Sequence, residues 1–274
     1  MKYKVAYSHI ANAGDLLNVY ILEKIFGIEI EPSGYLSADL VGIGSCLGEY
    51  QYSKDFIRRT KQSLFSNKKT YVWGTGFIFS DKTKEEPFYN KNLIFSALRG
   101  QLSKDRVERL TGKDLGNIPL CDGGILTSKL FDKTIQKKYE LGVIPHYKEQ
   151  EEPIFRKLLN ISKNSVLIDL KRDPMEVYKT IASCECVLSS SLHGLIISDS
   201  FNIPNLHVKV SDKLLGDGFK FKDYYSGYGL EDNYVKPEVI MPSINDIINN
   251  YKIDPIIVKD KMNQMIQCFP FTKS

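Results

Sequence analysis

Short apolar runs alternate along the chain with segments whose apolar residues recur at helical spacing. The first strand is predicted over 4–10, and a helix follows over 16–26. In that helix Leu17, Ile21 and Leu22 share one face, the spacing of a helix with one buried side. Strands that alternate with helices form parallel sheets with crossover helices. The pattern therefore predicts an α/β protein with doubly wound parallel sheets.

The alternation falls into two sets, separated by a polar run over 132–139. The first set adds strands at 40–44, 70–73, 93–98 and 117–121 and a helix at 103–111. The second has strands at 141–145, 166–169, 186–189 and 206–210, and helices at 153–159, 174–182 and 195–201. Helices are also predicted at 244–251 and 255–268. We expect two Rossmann-like domains, 1–135 and 136–242, facing a cleft, with C-terminal helices over 243–274 packing back on the first.

Composition fits a globular protein, with 42% apolar and 26% charged residues. No run reaches the roughly 18–20 apolar residues that span a bilayer, and the apolar core near Met1 is too short for a secretory signal. Five cysteines form no paired framework, which favours a reducing cytoplasm. Cys184 and Cys186 are a close pair without a second cluster, so buried thiols are favoured over a zinc site.

Charge is unevenly distributed. The net charge of +4 is too small to indicate nucleic acid as a partner. Residues 51–113, however, carry fourteen basic and six acidic side chains. Within them, the stretch 53–69 places Phe56, Ile57 and Leu64 among basic residues. Such a basic amphipathic helix either lies on an anionic membrane surface or packs on its own domain, and both interpretations stay open.

The loop after the predicted strand 186–189 is the most chemically suggestive segment. Three serines, Ser189, Ser190 and Ser191, are followed by His193 and a helix. Hydroxyls and exposed helix amides form a receptor for phosphate or carboxylate. His193 supplies an imidazole that titrates near neutral pH. The alternative is that the serines cap the helix and the histidine packs against a neighbour.

This segment resembles the hallmark of the polysaccharide pyruvyl transferase family. Over 189–204 the chain reads Ser-x-x-Leu-His-Gly and continues into a helix that ends in Ile-Pro. Further segments resemble the family's motifs in matching order, at 12–18, 42–45, 72–77, 98–103, 122–126, 144–146 and 220–225. There are two departures: Ser191 stands where many members have Arg, and Asp122-Gly123 stands in a weakened Gly-Asp-Pro segment.

The resemblance implies a fold like the GT-B glycosyltransferases and transfer of a pyruvyl group from phosphoenolpyruvate to two hydroxyls of a glycan. The product would be a pyruvate ketal, with release of phosphate and no need for a metal or organic cofactor. It also implies capsule or exopolysaccharide biosynthesis at the cytoplasmic membrane face, with an acceptor that is free or lipid-linked. The first domain is expected to hold the acceptor and the second the donor.

Site residues follow from the motifs and their chemistry. His193 is the expected general acid, and Asp15 either accepts the proton of the attacking hydroxyl or caps the helix that follows it. The expected donor ligands are Arg99, Ser189, Ser190, Ser191, Leu192, Gly194, Lys220 and His146. The alternative for Arg99 is an ion pair at the surface or between the domains. The expected acceptor ligands are Asn12, Gly14, Asn18, Gly44, Ser45, Gly74 and Thr75. His9 and His207 are expected to pack.

Two other functions stay open. A sugar-nucleotide glycosyltransferase would use the same architecture and would need a carboxylate for ribose, for which Asp173 and Glu176 are the candidates. A catalytically silent glycan-binding protein would explain the departures at Ser191 and Gly123.

Overall fold

Two parallel sheets organise the molecule. The computed structural model describes residues 2–8, 12–81 and 85–271. The first sheet has the order β2-β1-β3-β4-β5, with β1 at Lys2–Ala6, β2 at Glu29–Pro32, β3 at Leu40–Val41, β4 at Thr70–Thr75 and β5 at Leu93–Leu98. The second has the order β7-β6-β8-β9, with β6 at Tyr139–Ile144, β7 at Ser165–Leu167, β8 at Cys184–Ser189 and β9 at Asn205–His207. Each strand pair in these sheets is parallel, which confirms the predicted α/β class. The domain boundaries and the GT-B-like arrangement stay predictions.

Helices connect the strands and follow the second sheet. They are α1 Ala13–Lys24, α2 Phe56–Leu64, α3 Gln101–Thr111, α4 Ile154–Leu159, α5 Pro174–Ala182, α6 Leu192–Ser200, α7 Phe219–Ser226, α8 Ile244–Asn250 and α9 Pro255–Gln267. Two 3₁₀ segments occupy Leu47–Tyr50 and Gly123–Leu130. Within the described residues, none of the helices is long and apolar enough to cross a lipid bilayer.

Three of the predicted or observed strands and α-helices depart most from the pattern-based prediction. Strand β2 was missed because it is a four-residue edge strand with charged side chains and no apolar run. The strand predicted at 117–121 is reduced to a single bridge from Leu120 to Leu98. Pro119 has no N–H to donate, which prevents a continuous ladder there. Helix α7 was also missed, and it carries two residues that shape the site.

The elements between the sheets form one apolar core. Helices α1 and α6 pack on either side of the 3₁₀ segment Gly123–Leu130, with Leu17, Ile125 and Ile196 fully buried there. The first turn of α1 is also bonded to the other half of the chain: the Ala13 amide donates to the Leu170 carbonyl (2.7 Å), and the Tyr178 hydroxyl donates to the Ala13 carbonyl (2.6 Å). The start of α1 is therefore fixed beside the loops of the second sheet.

The segments after the second sheet pack on both halves. Helix α7 lies against α3, and α9 lies against the first sheet, where the Trp73 indole donates to the Met265 carbonyl (3.1 Å). Helix α8 instead packs on β8 and β9, and Ile247 joins the core of the second sheet. Helices α7 and α9 thus tie the end of the chain to the half where it began.

Candidate active site

A cleft of about 270 Å³ lies where loops from the carboxyl ends of both sheets meet. Ligands of parallel sheets bind at this edge. The cleft is lined by Ser8, Asn12, Asp15, Tyr35, Gly44, Ser45, Cys46, Glu49, Ile78, His146, Tyr147, Lys148, Leu170, Ser191, Leu192, His193, Leu215 and Lys220. Its volume lies near the lower end of ligand cavities, which are roughly 300–1,000 Å³, so it suits a small ligand.

The N-terminus of α6 opens onto this cleft. The helix begins at Leu192, three residues earlier than the sequence predicts, so His193 lies in its first turn. The Ser189 hydroxyl accepts from the Ser191 amide (3.0 Å) and donates to the Ile144 carbonyl (3.2 Å), which holds the strand-to-helix turn. First-turn amides have no acceptor within their helix, and they carry the positive end of its dipole. The turn therefore presents donors and positive potential to the cleft.

His193 lines the cleft with a half-buried side chain whose Nε2 atom is fully buried. Its Nε2 has no hydrogen-bond partner among the described residues, and buried polar atoms rarely lack one. Burial, and then the positive charges of Lys220 and Arg99, lower the pKa of His193 to about 3. The imidazole is therefore neutral at pH 7.

Asp15 faces the cleft from the first turn of α1. The Asn12 side chain caps this helix: its oxygen accepts from the Asp15 amide (3.1 Å), and its amide donates to the Asp15 carboxylate (2.6 Å). Burial raises the pKa of Asp15 to about 6, against the opposing hydrogen bonds of Asn12 and Ser8 and the charge of Lys220. Asn12 rather than Asp15 therefore caps the helix, and the Asp15 carboxylate lines the cleft with hydrogen bonds to Asn12 and Ser8.

Two lysines bring positive charge to the cleft. Lys220, in the first turn of α7, forms no salt bridge within the described residues, and burial followed by repulsion from Arg99 lowers its pKa to about 8. Lys148 is exposed and lines the cleft on the loop after β6. His146 on the same loop is neutral, since burial and the charges of Lys220 and Lys148 lower its pKa to about 3. Ser191 is uncharged at the position where many family members have arginine, so Lys220 and Lys148 are the cations that line this cleft among the described residues.

Arg99 lies beneath the cleft rather than in it. The guanidinium is fully buried: Nε donates to Asp223 (2.9 Å), Nη1 to the Gly44 carbonyl (3.2 Å) and Ser45 Oγ (2.6 Å), and Nη2 to the Phe77 carbonyl (2.5 Å). The structure does not bring Arg99 into contact with the cleft. One edge of the guanidinium is instead paired with the carboxylate of Asp223 on α7. The position of Arg99 holds Gly44 and Ser45, which do line the cleft.

Removing the partner of Arg99 should destabilise the protein strongly. For Asp223→Asn we expect a loss of about 3–5 kcal/mol in the free energy of unfolding, the usual cost of leaving one buried charge unpaired. Urea denaturation measures it. Glu176→Gln is the control: it removes an exposed pair with Arg172 and should cost less than about 1 kcal/mol. A loss below 1 kcal/mol in Asp223→Asn would contradict the structural role of the pair.

Three other predicted ligands do not line the cleft, and two of them bond the backbone of loops that do. Asn18 accepts from the Ile43 amide (2.9 Å) and donates to its carbonyl (3.1 Å), so its amide group is used in the loop after β3. Thr75 accepts from the Cys46 amide and donates to the Gly44 carbonyl, both at 3.0 Å. Gly74 adopts a positive φ of 79° and packs against Gly123 and Met265. None of these three lines the cleft.

In the turn between β8 and α6, two predicted ligands likewise form hydrogen bonds with the backbone. Ser189 is buried in the turn described above, and Ser190 accepts from the His146 amide (2.9 Å). A Cβ on Gly194 would lie 2.4 Å from Ser189 Oγ, so glycine permits the close contact of helix and strand. A Cβ on Gly14 would lie 2.1 Å from His193 Nδ1, so this glycine permits a close contact with the imidazole. The residues predicted from the motifs that do line the cleft are Asn12, Asp15, Gly44, Ser45, His146, Ser191, Leu192, His193 and Lys220.

Several lining residues were missed by the sequence analysis. Lys148 and Tyr147 directly follow a predicted strand, so the rule that ligands bind at strand ends would have found them. Tyr35 comes from an irregular segment and Glu49 from the 3₁₀ segment Leu47–Tyr50, and neither carries such a signal. His9 lies outside the described residues. His207 stacks on Phe221 (3.7 Å between ring centroids) and bonds Asp232 outside the cleft.

Comparison with known proteins identifies the family. The family model for polysaccharide pyruvyl transferase matches residues 2–212. The chain belongs to this family. Family membership supports pyruvyl transfer onto a polysaccharide as the general type of activity.

The individual relatives are distant. The chain is 29% identical over 265 residues to the uncharacterized protein L143 of Acanthamoeba polyphaga mimivirus, covering 93% of this chain and 86% of that protein. It is 23% identical over 221 residues to the succinoglycan biosynthesis protein ExoV of Rhizobium meliloti (strain 1021), covering 80% of this chain and 62% of that protein. A functional uncharacterized protein, KP1_0663 from Klebsiella pneumoniae subsp. pneumoniae NTUH-K2044, aligns at 13% identity with a TM-score of 0.47, over 85% and 90% of the two chains.

Proposed function

We propose that this pyruvyl transferase takes its pyruvyl group from phosphoenolpyruvate, forms a cyclic ketal across two hydroxyls of a glycan and releases phosphate. The observation that carries the proposal is the neutral His193 at the N-terminus of α6, which lines the cleft with Lys220 and whose buried Nε2 has no hydrogen-bond partner among the described residues. A compact anion that also needs a proton fits this combination of groups.

The donor is expected to bind on the second-sheet side of the cleft. Phosphoenolpyruvate carries a phosphate and a carboxylate, which need cations and hydrogen-bond donors. Lys220, Lys148 and the first-turn amides of α6 supply them. Ser191 adds a hydroxyl that caps no amide of its helix and remains available to a ligand.

The chemistry needs one proton on the donor and removes two from the acceptor. The bound anion would offset the charges of Lys220 and Arg99, raise the pKa of His193 and let the imidazolium protonate the methylene carbon. A first hydroxyl then attacks C2 and gives its proton to Asp15. The C2–oxygen bond to phosphate breaks, and Asp15 passes that proton to the leaving phosphate. A second hydroxyl closes the ring and returns a proton to His193.

The acceptor is expected on the first-sheet side, against Asp15, Asn12 and Ser45. Carboxylate, amide and hydroxyl groups suit hydrogen bonds with sugar hydroxyls. The proposal includes an acceptor used in capsule or exopolysaccharide biosynthesis, carried on a lipid, and a protein that works at the cytoplasmic face of the membrane.

A ligand screen by thermal shift tests the donor. At a concentration about 100 times its dissociation constant, phosphoenolpyruvate should raise the free energy of unfolding by about 2.7 kcal/mol, and UDP and GDP should not stabilise. Stabilisation by a nucleotide instead would favour a glycosyltransferase. Neither candidate carboxylate for a nucleotide ribose lines the cleft: Asp173 caps α5, and Glu176 is exposed beside Arg172. Stabilisation by glycans alone would indicate a silent binding protein.

Lys220→Met should abolish most of the phosphoenolpyruvate-dependent shift. The matched control is Lys222→Met, an exposed lysine on the same helix that does not line the cleft. Because the pKa of Lys220 is about 8, its ammonium is charged below that pH and is lost above it. Donor affinity in the unsubstituted protein should therefore fall as the pH rises through 8, and this fall should be absent in Lys220→Met. A shift that survives in Lys220→Met would contradict the assignment.

A further inference from the structure

We propose that α2 is a docking helix that binds the surface of an anionic lipid bilayer. This proposal deepens the membrane location proposed above. Its test needs neither donor nor acceptor, so the two can fail independently.

Helix α2 points its apolar side chains away from the protein. At about 3.6 residues per turn, Phe56, Ile57 and Leu64 fall on the side opposite Gln62. Their exposed fractions are 81%, 67% and 79%, whereas Gln62 is 1% exposed. A surface helix of a globular protein normally has the reverse arrangement, with its apolar stripe facing the core. The fold therefore leaves an apolar face uncovered.

Polar contacts attach the helix in this orientation. The Gln62 side chain accepts from the Ser53 amide (2.8 Å) and donates to the Gln51 carbonyl (3.1 Å). At the N-terminus, Asp55 accepts from the Arg58 amide (2.8 Å) and caps the helix. The outward apolar face is thus built into the fold by specific bonds rather than left by a loosely held segment.

Positive charge surrounds the apolar face. Residues 53–69 contain six basic side chains and one acidic one. Arg58, Arg59 and Lys68 are paired with Glu49, Glu86 and Asp39. Lys54 and Lys61 form no salt bridge within the described residues. Apolar side chains flanked by cations are the pattern of helices that lie in the interface of anionic bilayers. A second copy of this chain would bring the same positive charge against itself, which disfavours a dimer through this face.

The helix also borders the cleft. Tyr35 and Glu49 line the cleft, and both also line a groove that Arg58, Gln62 and Phe65 complete. The Arg58 guanidinium lies 2.6 Å from the Glu49 carboxylate. A bilayer bound to α2 would therefore lie across the helix from a groove that shares Tyr35 and Glu49 with the cleft.

Vesicle sedimentation of the full chain tests the proposal. We expect binding to vesicles of phosphatidylcholine with phosphatidylglycerol, little binding to phosphatidylcholine alone, and weaker binding at high salt. Phe56→Ser with Leu64→Ser should weaken binding by at least about tenfold, because each side chain loses its apolar burial. Lys54→Glu with Lys61→Glu should weaken it on anionic vesicles.

The control is Val239→Ser with Ile240→Ser, which removes two exposed apolar side chains outside α2 (76% and 66% exposed) and should leave binding unchanged. Thermal melting confirms that each variant is folded. Absence of binding by the unsubstituted protein, or binding that persists in the Phe56 and Leu64 variant, overturns the proposal. Self-association that the same two substitutions abolish would show instead that a second copy covers this face.

Discussion

Replacing His193 with alanine should lower the rate of phosphate release from phosphoenolpyruvate by about 10²–10⁴-fold, the usual contribution of a positioned acid. The imidazole is neutral and its Nε2 has no hydrogen-bond partner in the part of the chain that the structure describes, so the donor is expected to complete its environment. The measurement is single-turnover phosphate release with saturating donor and a glycan acceptor. Near-normal turnover in His193→Ala would remove the histidine from the mechanism.

Two controls separate catalysis from folding. Ser200→Ala changes a buried side chain at the far end of the same helix and should leave the rate unchanged. Because the pKa of His193 is lowered from 6.5 to about 3, the unfolded chain binds the proton more readily. The free energy of unfolding therefore decreases as the pH falls from about 6.5 towards 3, because the unfolded histidine is protonated first. In His193→Ala this part of the acid destabilisation should be absent.

A single added methyl group at Gly14 should impair the enzyme almost as severely. A Cβ at this position would lie 2.1 Å from His193 Nδ1 and 2.6 Å from its Cγ, so the ring must move. Displacing a reacting group by about 1 Å costs roughly 10²-fold in rate. We therefore expect Gly14→Ala to lower phosphate release about 100-fold, measured by the same assay.

A double-mutant cycle tests the cause of that loss. In a His193→Ala background the ring that the added methyl displaces is absent, and only the Cβ of residue 193 still lies 2.8 Å away, so adding Gly14→Ala should lower the rate little further. Gly48→Ala is the matched control, because a Cβ there has no heavy atom within 4 Å and the residue should tolerate it. Additive losses in the double variant would show that Gly14 acts through something other than the imidazole.

The local sequence was sufficient to predict most elements and the centre of the site. Apolar periodicity located β5 and α5 with the bounds that the structure has, and the Ser-x-x-Leu-His-Gly segment identified His193. These features depend on neighbours in the chain: a strand needs a short apolar run, and a helix needs its capping residue and spacing. Where local signals were weak, as at β2 and α7, the prediction failed.

The tertiary structure decided which polar residues reach a ligand. Arg99, Asn18 and Thr75 have the side chains of ligands, yet each is consumed by partners distant in sequence. A buried donor must be satisfied by whatever acceptor the fold brings to it, and sequence spacing does not reveal that acceptor.

The sequence alone therefore determined the α/β class, most of the elements, the family and a histidine that lines the cleft. The fold decided the rest: that Asp223 occupies Arg99, that Lys148 and Lys220 meet at one cleft, and that α2 turns its apolar face outward. The physical reason is that propensity and periodicity act between neighbours, whereas hydrogen-bond satisfaction and burial are set by contacts across the whole chain.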